Sequence, residues 1–213
     1  MNAGRGVRPV TRLGAERRLR RGFRELEASD PDLARLMAEV GRPTVQLREP
    51  GFPTLLRAIV AQQVSAAAAR SIWARVEDSV RPLTAEAFLT LSADEVRALG
   101  FSRQKVTYAT ALAEAIISGR VDPDQVARMP DDEAVEALVQ LPGIGRWTAE
   151  IYLLFALGRP DVLPVGDLAL QVAAGRIKGL EERPKPKAFE ALAEPWRPWR
   201  GAAALTTRRC LLT

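Results

Sequence analysis

The residues with the clearest chemical potential are a glycine-containing turn at residues 141–149, LPGIGRWTA, and Asp167, which lies twenty residues beyond Trp147. A carboxylate at a fixed position can orient or deprotonate a water molecule and can stabilise positive charge that develops beside it. Asp167 also precedes an apolar helical pattern, so it is equally placed as a plain helix N-cap, a role worth about 1 kcal/mol. The two roles are compatible, because capping would fix the direction of the carboxylate.

The turn itself is built around Gly143 and Gly145, which separate one apolar helical pattern from another that starts at Arg146. A turn this short needs at least one residue with a positive φ, which glycine supplies without steric cost. We expect the amides of Ile144, Gly145 and Arg146 to be free donors at a helix N-terminus, where they would suit a DNA phosphate. The alternative is an ordinary tight connection between two packed helices.

Helical patterns cover most of the chain, and proline or glycine marks many of their boundaries. The only candidate strand is residues 44–47, just before the turn at Pro50 and Gly51. The sequence therefore predicts an all-α fold. We predict helices at residues 13–28, 31–40, 52–63, 65–79, 84–90, 93–99, 103–118, 123–128, 131–140, 146–157, 167–177, 187–194 and 200–211.

The composition is that of a globular protein with a basic surface. A length of 213 residues with 47% hydrophobic residues suits one compact unit or two small lobes. The net charge is +5 and the isoelectric point is near 10.0. Such a charge favours polyanions, although a solvated basic face without a partner is about as common. The arginines cluster towards both ends: Arg17, Arg18, Arg20, Arg21 and Arg24, and Arg197, Arg200, Arg208 and Arg209.

Several classes of site are excluded by residue counts. Cys210 is the only cysteine, so a four-thiolate iron–sulfur cluster and an intramolecular disulfide are excluded. Histidine is absent, which removes imidazole zinc sites and the Ser-His-Asp mechanism, so any general base must be a carboxylate. No apolar run is long enough to span a membrane, and we expect a cytoplasmic protein.

The segment LPGIGRWTAEIYLLFALG, followed by PVGD, resembles the helix-hairpin-helix DNA glycosylases, and within them the 3-methyladenine DNA glycosylase II branch. LRAIVAQQVS at residues 56–65 is similar to the family's helix and loop that enter DNA, and WRPWR at residues 196–200 resembles its C-terminal signature. The resemblance implies a single catalytic unit of two helical lobes, residues 1–213, with the active site in the cleft between them. We expect one lobe from about residues 1–50 and 166–213, and a central lobe from about 51–165 that contains the hairpin at 131–157. This would be a short form that lacks the N-terminal β domain of larger members.

The activity implied by the resemblance is base excision repair. The enzyme would flip alkylated bases of the 3-methyladenine and 7-methylguanine type from double-stranded DNA and hydrolyse the N-glycosidic bond with water, leaving an abasic site. Asp167 would stabilise the positive charge that this cleavage builds on the deoxyribose. Members that also cut the backbone carry a lysine where this chain has Trp147, so no lyase activity is expected.

Two alternatives stay open. The chain could be a helix-hairpin-helix DNA-binding module without catalysis, although an acid near phosphates would then serve no purpose. Excision of oxidised or mismatched bases is disfavoured by the missing lysine and the missing cluster cysteines.

The resemblance also implies roles for individual residues. Trp147 would attract cationic bases with its indole face, although core packing is the alternative for a helical tryptophan. Ile151 and Leu168 stand where larger members place aromatic residues, so we expect a wide pocket and a broad range of alkylated bases. Gln63, with Gln62 beside it, would fill the gap left by the flipped base, although either could be an inconsequential surface glutamine.

The remaining expectations concern contacts to DNA and ions. The DNA backbone would be bound by the hairpin residues, and a structural Na⁺ or K⁺ would be held by nearby backbone carbonyls. No cofactor is expected for catalysis. The partner would be duplex DNA with alkylated bases, bound by a monomeric, nucleoid-associated protein. The backbone residues are Gly143, Ile144, Gly145, Arg146 and Thr148, and the carbonyls are those of Val139, Leu141 and Ile144.

Overall fold

The computed structural model describes residues 11–210, in which every regular element is a helix. All of the predicted helices are present, with ends that differ by no more than two residues, and a short 3₁₀ turn follows at Glu194–Trp196. The last predicted residue, 211, lies outside the described part. The helices are α1 Arg12–Ser29, α2 Pro31–Val40, α3 Phe52–Ala61, α4 Ala66–Ser79, α5 Ala85–Phe88, α6 Ala93–Ala98, α7 Arg103–Ile117, α8 Pro123–Val126, α9 Asp131–Val139, α10 Arg146–Phe155, α11 Leu168–Ile177, α12 Pro186–Ala193 and α13 Arg200–Arg209.

The prediction of a strand at residues 44–47 is wrong. Residues 41–50 have no regular secondary structure, but Val45 and Leu47 are buried while Thr44 and Gln46 are exposed. The alternation that indicated a strand therefore comes from an extended segment that packs every second side chain into a helical core. No helix within residues 11–210 is long and apolar enough to cross a membrane.

The described chain divides into two compact units, one formed by residues 48–152 and the other by residues 11–47 with 153–210. The first limit lies near the expected residue 50. The second lies within α10, earlier than the expected residue 165, because Leu154 and Leu163 belong to the hydrophobic core of the second unit.

The first unit is built around α3 and α7. Phe52, at the start of α3, packs against Phe88 with a ring-centroid distance of 5.5 Å, and Phe88 lies 6.3 Å from Phe101. The buried hydroxyl of Tyr152 accepts a hydrogen bond of 2.9 Å from the amide of Gly51. These contacts hold α3 in place, and α3 leads directly into the turn that contains Gln62 and Gln63.

The second unit encloses a core of side chains from α1, α2, α11, α12 and α13, and an ionic cluster surrounds its buried Asp30. The carboxylate of Asp30 accepts hydrogen bonds from Trp196 Nε1 at 2.7 Å and from Lys178 Nζ at 2.7 Å, and Lys178 also reaches Asp32 at 2.9 Å. Burial opposes ionisation of Asp30, but these hydrogen bonds outweigh it, so the pKa of Asp30 lies below its ordinary value of 3.8. The first tryptophan of WRPWR thus has a structural role.

Candidate active site

The turn between α9 and α10 requires a glycine at position 143. Gly143 has a φ of +82°, which confirms the expected positive φ. A Cβ at this position would also overlap the ring atoms Cδ2 and Cγ of Tyr108 on α7. Gly143 therefore allows both the backbone conformation and the close packing of the hairpin onto α7.

Gly145 differs from Gly143 in both respects. Its φ is not positive, and no atom of the described chain lies within 4 Å of the position that a Cβ would take. Its carbonyl accepts the hydrogen bond of 3.0 Å from Ala149 N that begins the α10 ladder. The fold thus leaves open space beside Gly145 at a helix N-terminus, where another backbone could approach closely.

The expectation of a free amide at Ile144 is wrong. Its N–H donates to the carbonyl of Leu141 at 3.0 Å, and the residue is only 3% exposed. The donor is used to close the turn. The amides of Gly145 and Arg146 remain as the candidate backbone donors. The exposed side chain of Arg146 forms an ion pair with Glu150, with 3.0 Å between Nε and Oε1.

Thr148 and Gln62 contact each other instead of facing outward. Gln62 Nε2 donates to the carbonyl of Gly143 at 2.8 Å and lies 3.3 Å from the hydroxyl of Thr148, which is 3% exposed. The side chains of Thr148 and Gln62 are thus engaged within the protein. The roles expected for Thr148 at the DNA backbone and for Gln62 beside Gln63 in the duplex stay predictions. Sequence reasoning missed the contact because nothing in either segment signals a partner 81 residues away.

Gln63 lies in the turn between α3 and α4 and is exposed. Among residues 11–210 it is the only non-glycine residue with a positive φ, at +53°. This conformation costs roughly 1–2 kcal/mol for a residue with a Cβ. Ser65 ends the turn as the N-cap of α4, where its hydroxyl accepts from Ala68 N at 3.1 Å. The turn therefore presents Gln63 outward at a conformational cost.

A depression of about 840 Å³ lies between this turn, the hairpin and the first turns of α7, and we call it the hairpin depression. Trp147 lines it and is 40% exposed, so core packing does not account for this residue. Its lining residues are Ala61, Gln62, Gln63, Ser102, Gln104, Lys105, Tyr108, Val139, Gln140, Leu141, Pro142, Gly143, Ile144, Gly145, Trp147 and Thr148.

Lys105 is a residue of this site that the sequence analysis missed. Its Nζ donates to the carbonyl of Val60 at 2.8 Å, in the last turn of α3. Burial lowers the pKa of this ammonium below its ordinary value of 10.5. Lys105 lies in the first turn of α7, three residues after the N-cap Ser102, and nothing in the local sequence indicates that its side chain binds the end of α3.

The residues expected to form the base pocket fall in both units. Ile151 follows Trp147 on α10, is only 9% exposed and does not line the hairpin depression. Leu168 is the first residue of α11 in the second unit and is 63% exposed. Their shared role in a base pocket stays a prediction.

Asp167 caps α11, as its position before an apolar helix predicts. Its Oδ1 accepts a hydrogen bond of 3.0 Å from Leu170 N, its own amide donates to Pro164 O at 3.0 Å, and the residue is 6% exposed. The buried Gln171 donates to the carbonyl of Val165 at 2.6 Å and holds the preceding loop. The carboxylate is therefore largely shielded from bulk water and fixed in direction.

The three residues whose carbonyls are proposed to hold a monovalent cation line one depression. Val139, Leu141 and Ile144 all line the hairpin depression, and the carbonyl of Leu141 also accepts from Ile144 N. Neutral oxygen donors at the end of α9, where carbonyls lack intrahelical partners, are compatible with a hard cation of low charge. Across residues 11–210, no group of three histidine, cysteine, aspartate or glutamate residues is arranged to hold a metal ion.

Comparison with known proteins places these features in a family. Residues 56–198 match the model of the HhH-GPD superfamily base excision DNA repair proteins. The chain is 34% identical over 187 residues to DNA-3-methyladenine glycosylase 1 of Schizosaccharomyces pombe, an alignment that covers 84% of this chain and 82% of the relative.

Two solved structures are similar in fold as well. The structure of the S. pombe 3-methyladenine DNA glycosylase Mag1 in complex with abasic DNA gives a TM-score of 0.81 at 31% identity, covering 89% of this chain and 95% of that one. A DNA-3-methyladenine glycosidase from Bacillus halodurans gives 0.78 at 31% identity, covering 88% of each chain. With the match over residues 56–198, these similarities show that the chain belongs to the HhH-GPD superfamily of base excision DNA repair proteins.

Proposed function

We propose that this protein is a monofunctional DNA glycosylase that removes alkylated bases from duplex DNA by hydrolysis and leaves an abasic site. Its relative in S. pombe is named a DNA-3-methyladenine glycosylase, and the Mag1 structure contains abasic DNA, the product expected of such a reaction. The observation that carries the proposal is Asp167, a largely buried carboxylate whose direction is fixed by its own helix cap.

We assign the binding of the DNA backbone to the hairpin. Gly145 leaves open space at the N-terminus of α10, and the amides of a helix N-terminus together with its dipole favour a phosphate oxygen. Such contacts position a protein on the duplex without reading its sequence. A sodium or potassium ion on the carbonyls of Val139, Leu141 and Ile144 would add positive charge beside that phosphate.

Asp167 has two tasks in the reaction. As the bond between C1′ and the base nitrogen breaks, the electron pair leaves with the base and positive charge grows on the sugar, which the ionised carboxylate stabilises. A water molecule bonds to C1′ and its proton passes to the carboxylate. A cationic alkylated base leaves as a neutral molecule, so this step needs no general acid, in agreement with the absence of histidine.

Trp147 determines the subtype of the reaction. Its indole has no nucleophilic amine to form a Schiff base with C1′, so the sugar is attacked by water and the backbone stays intact. Trp147 is 40% exposed, and an indole face at this position would stack on a flipped base and attract a positive charge.

The spectrum of substrates is proposed to be broad. The positions expected to line the base pocket beside Trp147 are aliphatic, and Leu168 leaves 63% of its surface exposed. Aliphatic walls discriminate weakly between bases of similar size. Incubation with a panel of lesion duplexes tests this point, and release of 3-methyladenine alone would contradict it.

Gln63 is proposed to fill the space that the flipped base leaves. It is exposed at the tip of the turn after α3, and its amide can hydrogen-bond the unpaired partner base. We propose that the protein acts in this way as a monomer on nucleoid DNA.

The competing function is a DNA-binding module without catalysis. Release of bases from alkylated DNA, with abasic sites as the readout, separates the two, because a binding module releases none. Trapping of the protein on DNA with borohydride would instead indicate a lyase and contradict the monofunctional reaction.

A further inference from the structure

The turn that contains Gln63 is held by contacts with residues from other segments of the chain. Gln62 and Gln63 follow the last residue of α3, and Gln63 has a φ of +53°. A residue with a Cβ stays in this conformation only where its surroundings hold it there. The contacts that could do so are made at Gln62 and Val60, which precede Gln63 by one and three residues.

Gln62 ties the turn to both parts of the hairpin. Its Nε2 atom is 2.8 Å from the carbonyl oxygen of Gly143, in the turn, and 3.3 Å from Oγ1 of Thr148, in the first turn of α10. A primary amide nitrogen has two hydrogens, so it can donate to both oxygens at once. The side chain is half-buried, so these bonds are partly protected from water.

Lys105 holds the end of α3, from which the turn begins. Its ammonium donates to Val60 O at 2.8 Å, at the C-terminal end of α3, where carbonyls have no intrahelical donors and the helix dipole attracts a cation. The position of α3 relative to α7 is thereby fixed two residues before Gln62. Tyr108, one turn further along α7, packs against Gly143 of the hairpin.

We propose that Gln62 is a positioning residue that sets where Gln63 enters the duplex relative to the phosphate grip of the hairpin, with Lys105 as its support. This inference rests on the proposed function. A turn that is already ordered loses little conformational entropy when it enters DNA, so the bound state forms at lower cost. A small displacement of a positioned group can reduce a rate by orders of magnitude.

The test compares two substrates for each variant. One duplex carries 7-methylguanine opposite cytosine, where a base pair must be broken, and the other carries it opposite an abasic analogue, where there is no partner to separate. In Gln62→Met the side chain keeps its length but loses both donors. We expect its single-turnover excision rate to fall about tenfold or more on the paired substrate and less than about threefold on the unpaired one.

Gln125→Met is the matched control, because Gln125 is an exposed glutamine of α8 in the same unit. Its two rates should equal those of the wild type. Equal losses on both substrates by Gln62→Met would overturn the inference, since a general structural defect slows both alike. If Gln62→Met does not fold, Lys105→Met provides the same comparison and should show the same substrate dependence.

Gln62→Glu adds a pH-dependent readout. Its ionised carboxylate would face two oxygen acceptors, whereas the protonated acid can donate to one of them. Relative to wild type at each pH, excision of the paired substrate by Gln62→Glu should recover as the pH falls, and Gln62→Met should show no recovery. Parallel profiles for the two variants would overturn the inference. Failure of the wild type to release base from either duplex would instead contradict the proposed function.

Discussion

The ring of Tyr108 occupies the space that a side chain at Gly143 would need, which fixes the hairpin turn against α7. At Gly145, two residues later, the position that a Cβ would take is open, because no atom of the described chain beyond the glycine's own neighbours lies within 4 Å of it. The two glycines of the motif therefore serve different purposes. Gly143 serves the fold, and Gly145 is available to a ligand.

Substitution of each glycine by alanine should separate these purposes. Gly143→Ala combines a positive φ with overlap against a ring, so we expect the free energy of unfolding to fall by about 3 kcal/mol. Gly145→Ala should change the free energy of unfolding by less than about 0.5 kcal/mol. Its methyl group would occupy the space into which the DNA backbone is proposed to come, so we expect binding to duplex DNA to weaken about tenfold, equivalent to the loss of one charge-assisted hydrogen bond. Denaturant unfolding and DNA titration provide the measurements. A Gly145→Ala protein that binds DNA as tightly as the wild type would contradict the hairpin assignment.

The cluster of Asp30, Lys178 and Trp196 predicts a pH dependence of stability. Asp30 has a lowered pKa in the folded protein. The stability that it contributes is therefore fully present above pH 3.8 and is lost as the pH falls through the pKa of Asp30 in the folded state. Lys178 has a raised pKa, because its bonds to Asp30 and Asp32 outweigh burial, so its contribution is lost only as the pH rises above 10.5. Stability should thus decline in both directions outside this range.

Asp30→Asn isolates the acidic side of this dependence. Asparagine keeps the N-cap of α2 but removes the charge beside Lys178, so we expect a loss of about 2–3 kcal/mol at neutral pH. The difference from wild type should shrink below pH 3.8. Asp122→Asn is the control, because Asp122 caps α8 in an exposed position. A constant difference across all pH values would show that the charge of Asp30 is not its source.

Trp147 should matter more for cationic bases than for DNA binding. Trp147→Ala removes an attraction worth roughly 0.5–2 kcal/mol, so excision of 7-methylguanine should fall about 2- to 30-fold. Trp147→Phe keeps an aromatic face and should fall less. Affinity for undamaged duplex should change little in either variant, as measured by fluorescence anisotropy. Equal losses in excision and in affinity would argue against stacking.

The helices were predictable because their signals are local. Apolar periodicity depends on neighbouring residues, as does the position of Asp167 before an apolar helix, and Asp167 does cap α11. Residues 44–47 gave a false strand because alternation reports which side chains are buried, and an extended loop over a core produces the same pattern.

The details of the site depend on distant contacts and could not be predicted in the same way. Thr148 is covered at the contact with Gln62, and the side chain of Lys105 donates a hydrogen bond to Val60 on another helix. In both cases the partner lies far along the chain, so the local sequence gives no sign of the contact.

The central claim is that Asp167 performs the chemistry while the hairpin holds the DNA. Asp167→Asn is the sharpest variant, because asparagine caps helices as well as aspartate and α11 should keep its stability. We predict that the wild type releases alkylated bases and leaves abasic sites, and that Asp167→Asn binds the same duplex with unchanged affinity but excises at least about a hundredfold more slowly. Undiminished base release by Asp167→Asn would contradict the account.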